Sequence, residues 1–243
     1  MTIRVAGVAA AMLLVPTVSA HAAGDLYEAV VLVTGQHADN RPDALARAFR
    51  EDLVKISGDS RLADDPRVAA MATAAGDYVT GYAYRDLMAG VPLHDEQGTR
   101  QRPYALTVSF NPEKIDALLA SLGVKPWTDR PPVLVDVAVI NGDVRFDLAA
   151  DGSRGRDMRD ALAAEARRMG MVAVLPGNAP PDAVTLAGTL TWDAAALGWT
   201  AAWSFDDDAG AHAWRISGVS FDAAFRNGLR GVAVMLSGNG DPD

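Results

Sequence analysis

The chain contains no cysteine. That excludes disulfides, thiolate catalysis and thiolate metal sites, and with them anchoring through an acylated N-terminal cysteine. Histidine, the usual base and metal ligand, is nearly as scarce. Beyond residue 23 it occurs at His37, His94 and His212, in separate segments and with no pair at helical ligand spacing. A zinc site wants three or four clustered ligands, so each histidine reads as a solvated loop or strand-end residue. No basic tract is present, which makes nucleic acid and anionic lipid headgroups poor partners. Gly-x-Gly-x-x-Gly and the phosphate loop are absent. Past residue 23 no apolar run reaches the roughly 20 residues of a membrane-spanning helix.

What is present begins with an address. Arg4 is the single charge before Asp25, an apolar stretch runs from Val5 to Val15, and Pro16 breaks it. Small residues follow, with Val18-x-Ala20 and Ala20-x-Ala22 as two fitting cleavage sites. Charged, apolar and small residues in that order make a secretory signal peptide over 1–23. The expected location is the periplasm. The remaining chain carries a net charge of −10 once Arg4 is removed, a balance that favours solubility.

Periodicity predicts an α+β fold of two small domains, each a sheet with helices packed on one face. The first, 24–123, reads β-α-α-β-β-α. Leu26 to Val33 is a buried strand. Leu45, Ala48, Phe49, Leu53 and Ile56 form one stripe of a helix near 41–56 that Gly58 ends. Asp65-Pro66 opens a short helix. Two alternating strands follow, with Tyr78 to Tyr84 in one and Tyr104 to Phe110 in the other. Asn111-Pro112 caps a helix that Gly123 stops. Three prolines make 124–132 a linker, and Trp127 is placed to pin it to one half. The second domain, 133–238, reads β-β-α-β-β-β-β-α, with Asn141-Gly142 as a hairpin signal and Ser220 capping the last helix. Residues 239–243 read as a disordered tail, and edge strands such as 26–33 are able to pair between chains.

No set of residues forms a catalytic constellation, and no cofactor or metal ligand set emerges. Gly58-Asp59-Ser60-Arg61-Leu62 has the letters of an esterase motif in the wrong context, because a helix rather than a strand precedes the serine. Asp206-Asp207-Asp208 lacks the alternating ligands of a calcium loop and fits turn chemistry. Gly152, Gly155 and the helix start at 154 make a generic anion site. The polar loop Asp95, Glu96, Gln97, Gly98, Thr99 and Arg100 is either a recognition loop or a self-satisfied one. Trp199, Ala201, Trp203 and Phe205 share a strand face that Trp192 and Trp214 continue on neighbouring strands. That face is either a sugar-stacking platform or a core layer under the helices. The second is stronger, since aromatic residues dominate core burial.

Val33-Thr34-Gly35, Leu53 to Asp59, the loop 95–100 leading to Tyr104-x-Leu106-x-Val108-x-Phe110, Lys125-Pro126-Trp127 and Arg130-Pro131 together resemble the bacterial domain-of-unknown-function family number two thousand and sixty-six. The resemblance implies an exported proteobacterial protein and carries no catalytic residues. The second half, through Leu186-x-Gly188-x-Leu190, Trp199 to Trp203 and Trp214-x-Ile216-x-Gly218, resembles the amino-terminal domain of the Tol–Pal translocation protein and the lipoprotein activators of penicillin-binding proteins. Those modules act by binding other envelope proteins. The chain departs from them in having neither a lipidated cysteine nor propeller repeats. The expectation is therefore a non-enzymatic interaction or envelope-assembly module whose partner is another envelope protein. A periplasmic binder of a small ligand or glycan is the alternative, and a hydrolase acting through Ser60 the second.

Overall fold

The computed structural model describes residues 26–91 and 101–242; the leader and the loop residues Asp95, Glu96, Gln97, Thr99 and Arg100 lie outside them. The fold is α+β with two sheets. The first half contains β1 (Glu28–Thr34), α1 (Arg41–Ser57), α2 (Pro66–Ala72), β2 (Val79–Asp86), β3 (Pro103–Phe110) and α3 (Pro112–Leu122). Its sheet is antiparallel in the order β1-β3-β2. Ala29 and Val31 of β1 stand opposite Val108 and Leu106 of β3. All four are buried against the stripe Ala44, Ala48, Phe49, Leu53 and Ile56 of α1.

Local chemistry sets the helix ends. Asp65 and Asn111 accept from the backbone N–H groups of Arg67 and Lys114, and a proline follows each cap. Gly58 and Gly123 close α1 and α3 at φ 73° and 81°, a left-handed conformation that costs other residues about 1 kcal/mol or more.

The second half contains β4 (Val133–Asn141), β5 (Val144–Asp147), α4 (Arg156–Arg168), β6 (Ala173–Val174), β7 (Val184–Asp193), β8 (Gly198–Asp207), β9 (Gly210–Val219) and α5 (Phe221–Leu236). The strand order is β5-β4-β7-β8-β9, with β6 also on β4, and β4 and β7 are parallel. The hairpin is displaced by one residue from the Asn141-Gly142 expectation. Asn141 pairs with Val144, so Gly142 and Asp143 form the loop. Gly142 supplies the positive φ, 58°, at the first loop position, where a two-residue turn requires it.

One face of this sheet carries Val133, Val135, Val137 and Val139 of β4, Leu186 and Leu190 of β7, and Trp199, Ala201, Trp203 and Phe205 of β8, all buried. Packing beneath α5 depends on missing side chains. A Cβ on Gly228 would lie 2.7 Å from Trp203 Cε2, and one on Gly231 would lie 2.5 Å from Trp214 Cζ2. Gly188, paired with Trp203 across the sheet, leaves room for the same indole from β7.

The halves meet through their helices. From Asp52 to Asp59 every residue is buried, because that end of α1 lies between its own sheet and the second half. The buried apolar residues of both halves form one contiguous cluster. Trp127 is 3 % exposed, and its backbone N–H donates to Ile56 O at 2.7 Å. Arg130 stacks 4.2 Å from the Trp127 ring and donates to Lys55 O at 2.6 Å and to Met169 O at 2.7 Å. It therefore ties the carboxyl ends of α1 and α4, where unmet carbonyls and the helix dipole favour a cation. Burial pulls its pKa down to about 10, and it still stays charged at neutral pH.

Asn239, in the segment read from sequence as a disordered tail, donates to Ser57 O at 2.7 Å and to Lys125 O at 3.3 Å. Arg61 donates to Asn239 O at 2.5 Å. A buried helix end leaves carbonyls in need of donors, and Asn239 supplies them from the far end of the sequence.

Candidate functional site

The two sheets end differently, and the difference begins in α1. This helix runs beside β1, and Arg47 donates to Leu32 O at 3.0 Å while Lys55 Nζ donates to Glu28 O. The spacings match: eight helical residues advance about 12 Å, and four strand residues about 13 Å. Two carbonyls of β1 are thus taken by cationic side chains, a standard way of blunting a sheet edge. Pairing of chains through 26–33 would have to break both bonds, although Val30 and Leu32 are exposed at 54 % and 66 %.

The opposite end of the second sheet has no such cover. β9 spans ten residues and, among the described residues, pairs only with β8. Ala211, Ala213, Arg215 and Ser217 are exposed along it. Beside this edge lies an open cleft of about 210 Å³, walled by Ile216 of β9, by Ala223, Arg226, Asn227 and Arg230 of α5, and by the turn Asp59–Arg61. Asp241 and Pro242 close one end.

The charges in the cleft are unevenly paired. Glu165 of α4, 4 % exposed, receives Arg230 on one oxygen and Arg168 on the other, each at 3.0 Å. Arg226 is 3.8 Å from the same carboxylate and 44 % exposed, outside hydrogen-bonding distance. Three guanidinium groups therefore surround one carboxylate, and Arg226 is the least committed of them. Asp59 is engaged by Arg61 at 2.8 and 2.9 Å. The side-chain oxygen of Asn227 is buried without a donor, the kind of orphan a ligand or an ordered water satisfies.

Ser60 lines the same cleft. Both ring nitrogens of His212 face carboxylates, Asp207 at 3.2 Å and Asp241 at 3.8 Å, so this imidazole is oriented toward acids and not toward the serine. Asp207 also accepts from the backbone N–H groups of Ala209 and Gly210, which is turn chemistry. Among the described residues no group of three or more His, Asp or Glu is placed to hold a metal ion.

The other residues singled out from sequence fall in three places. Trp199, Trp203 and Trp214 are buried at 9 %, 2 % and 8 % exposure, and half-buried Trp192 meets Trp199 edge-on at 5.4 Å. Their common face is turned under α5, where Trp203 meets Phe225 at 6.2 Å. The loop 95–100 lies outside the described residues, but its foot is visible. Arg102 binds Asp86 at 2.8 Å and the carbonyls of Met88 and Val91. At the start of α4, Arg159 donates to the carbonyls of Gly152 and Arg154, and Gly155 makes room for Leu148 and Phe146. These glycines serve a packed turn.

Sequence reasoning missed Arg226, Asn227 and Arg230. Their spacing of one and four marks a polar flank of α5, but their neighbours come from residues 59–61 and 165, so only the fold assembles the cleft.

Comparison with known proteins reaches the first half. Residues 20–128 match the family model of a domain of unknown function, DUF8605. That match ends at the linker, short of β4. No curated protein and no solved structure matches the chain. Among the described residues no helix is long and apolar enough to cross a membrane.

Proposed function

We propose that the protein is a non-catalytic interaction module of the bacterial envelope, exported to the periplasm by its leader, which binds an extended segment of another envelope protein along β9. The observation that carries this reading is the place of β9 among the four sheet edges, of which β2 and β5 are also unpaired among the described residues but shorter, at eight and four residues. β1 is blunted by Arg47 and Lys55, whereas the ten-residue β9 is left unpaired among the described residues. A long open edge is a liability that folded proteins ordinarily remove, and its retention beside a polar cleft fits strand addition, in which main-chain hydrogen bonds supply affinity and flanking pockets supply specificity.

The sequence pattern in which the second half resembles the Tol–Pal amino-terminal domain and the lipoprotein activators favours the same class of function, as does the resemblance of the chain beyond its leader to an exported family. The glycan reading has less support, because the aromatic face is turned under α5. The hydrolase reading would need Ser60 to find a base other than His212.

The test is cross-linking in living cells followed by affinity capture, comparing the wild type with Ala211→Lys/Ala213→Lys. Both positions are exposed, and the new charges blunt the edge while leaving the core untouched. We expect one envelope protein to be captured by the wild type and lost from the variant. Equal capture by both would refute docking on β9.

A further inference from the structure

We infer that the cleft beside β9 selects a strand bearing a carboxylate, so that the segment added to the sheet is an acidic peptide with an Asp or Glu side chain seated against Arg226. This inference rests on strand addition at β9 and adds to it the chemistry of the partner.

Geometry makes the cleft a side-chain pocket for such a strand. An added strand lies about 4.8 Å beyond β9, and its alternate side chains point to the face that α5 covers. Ile216 marks that face on β9 and itself lines the cleft. A side chain at the neighbouring position of the guest strand enters the space walled by Arg226, Asn227 and Arg230.

Charge decides what that side chain is. Glu165 accepts one hydrogen bond on each oxygen, from Arg230 and Arg168, and Arg226 stands 3.8 Å from it and 44 % exposed, beyond hydrogen-bonding distance, so its guanidinium keeps donors to offer. A planar guanidinium matches a carboxylate in two parallel hydrogen bonds. Of the carboxylates nearby, Asp59 is engaged by Arg61 at 2.8 Å, whereas Asp241 is 84 % exposed and 3.8 Å from His212, so a guest carboxylate competes with it at the end of the cleft that it lines. Asn227 adds an independent signal. Its side-chain oxygen is closed to solvent and lacks a donor, so a turn of the amide brings it to an N–H of the guest. Donor and acceptor side by side suit a peptide better than a simple anion. On a protein with a net charge of −9 over the full sequence, a cationic pocket also offsets the general repulsion of an acidic segment.

The experiment uses the leaderless protein and three fluorescein-labelled ten-residue peptides of alternating Val and Thr, carrying Glu, Gln or Lys at one central position. Fluorescence anisotropy reads the dissociation constants in low and in high salt. We expect the Glu peptide to bind at least tenfold more tightly than the Gln peptide, and the Lys peptide to bind most weakly. The Glu preference should shrink in high salt and fall to near unity in Arg226→Gln, an exposed substitution whose fold is checked by circular dichroism. Equal binding of Glu and Gln by the wild type overturns the carboxylate inference, and so does a preference that survives Arg226→Gln. If in that case Ala211→Lys/Ala213→Lys still abolishes binding of both peptides, strand addition stands and only the acidic partner falls. If no peptide binds, or binding ignores those lysines, both readings fall. A dimer in sedimentation that the lysines dissolve identifies a second copy of the chain as the occupant and overturns the inference as well.

Discussion

Gly228→Ala, ordinarily a stabilising change in a helix, should destabilise this protein, and the sign should reverse when Trp203 is made smaller. In the middle of a helix alanine is favoured over glycine by about 1 kcal/mol. Here the added Cβ would lie 2.7 Å from Cε2 and 2.8 Å from Cζ2 of Trp203, well inside the contact distance of about 3.5–4.0 Å. The indole has little room to retreat. It is 2 % exposed, Gly188 bounds it on the sheet side and Phe225 lies 6.2 Å away. Overpacking of this kind costs about 1–3 kcal/mol, and the closeness of two ring atoms points to the upper end. The net cost should be about 1–2 kcal/mol, equivalent to a fall of roughly 2–8 °C in melting temperature for a chain of this size.

Trp203→Leu alone should cost about 2–3 kcal/mol, below the roughly 3–5 kcal/mol of truncating a buried aromatic residue to alanine. In that background the clash is gone, and Gly228→Ala should add about 0.5–1 kcal/mol of stability. Urea unfolding followed by far-ultraviolet circular dichroism measures all four proteins without relying on the altered tryptophan. The reasoning is refuted if Gly228→Ala is neutral or stabilising in the wild type, or if its effect is the same in both backgrounds.

Three other outcomes follow from the buried and half-buried polar contacts. Arg130→Lys keeps the charge but cannot reach Lys55 O and Met169 O together while stacking on Trp127, so it should lower stability by about 2–4 kcal/mol; a melting temperature within 2 °C (roughly the shift of 1 kcal/mol) would show that the bridge contributes little. Burial raises the pKa of Asp52 to about 7, with Lys55 3.2 Å away opposing the shift. The folded chain therefore holds a proton that the unfolded chain has lost between about pH 4 and pH 7, and stability should fall as pH rises through that window. Urea midpoints from pH 5 to 8 should show a steeper decline in the wild type than in Asp52→Asn, and parallel curves would contradict the assignment. Tyr27→Phe removes a 2.8 Å hydrogen bond to Asp116 of α3 and should cost about 1–2 kcal/mol, read as a lower urea midpoint at neutral pH; an unchanged midpoint would count against it.

Much of the fold was legible because its determinants are local. Asp65, Asn111 and Ser220 cap helices through atoms two or three residues away. Gly58 and Gly123 end helices through their own backbone. The phase of Trp199, Ala201, Trp203 and Phe205 follows from the alternation of a strand, and Leu190, Trp192, Trp214 and Ile216 carry it to neighbouring strands at the observed register. The hairpin was read one residue early because asparagine and glycine both tolerate positive φ, and only strand pairing decides which residue opens the loop.

What stayed hidden depends on residues far apart in sequence. Nothing near Arg130 announces that it joins two helix ends, and Asn239 sits among tail-like residues yet serves Ser57 and Lys125. Gly228 and Gly231 read as poor helix formers until the tryptophans they admit are in place. The cleft draws on residues near 60, 165, 226 and 241, a combination that no spacing rule anticipates. The blunting of β1 is of the same kind, since Arg47 and Lys55 look like an ordinary solvated helix face until α1 is laid along the strand.

The most direct test of docking on β9 is photo-cross-linking from a photoreactive amino acid placed at Ala213 on β9 and, separately, at Leu32 on β1, in cells that produce the protein. The account predicts a discrete adduct with another envelope protein from position 213 and none from position 32, which is exposed but lies on the blunted edge. An adduct from position 32 alone, or the same adduct from both, would contradict it.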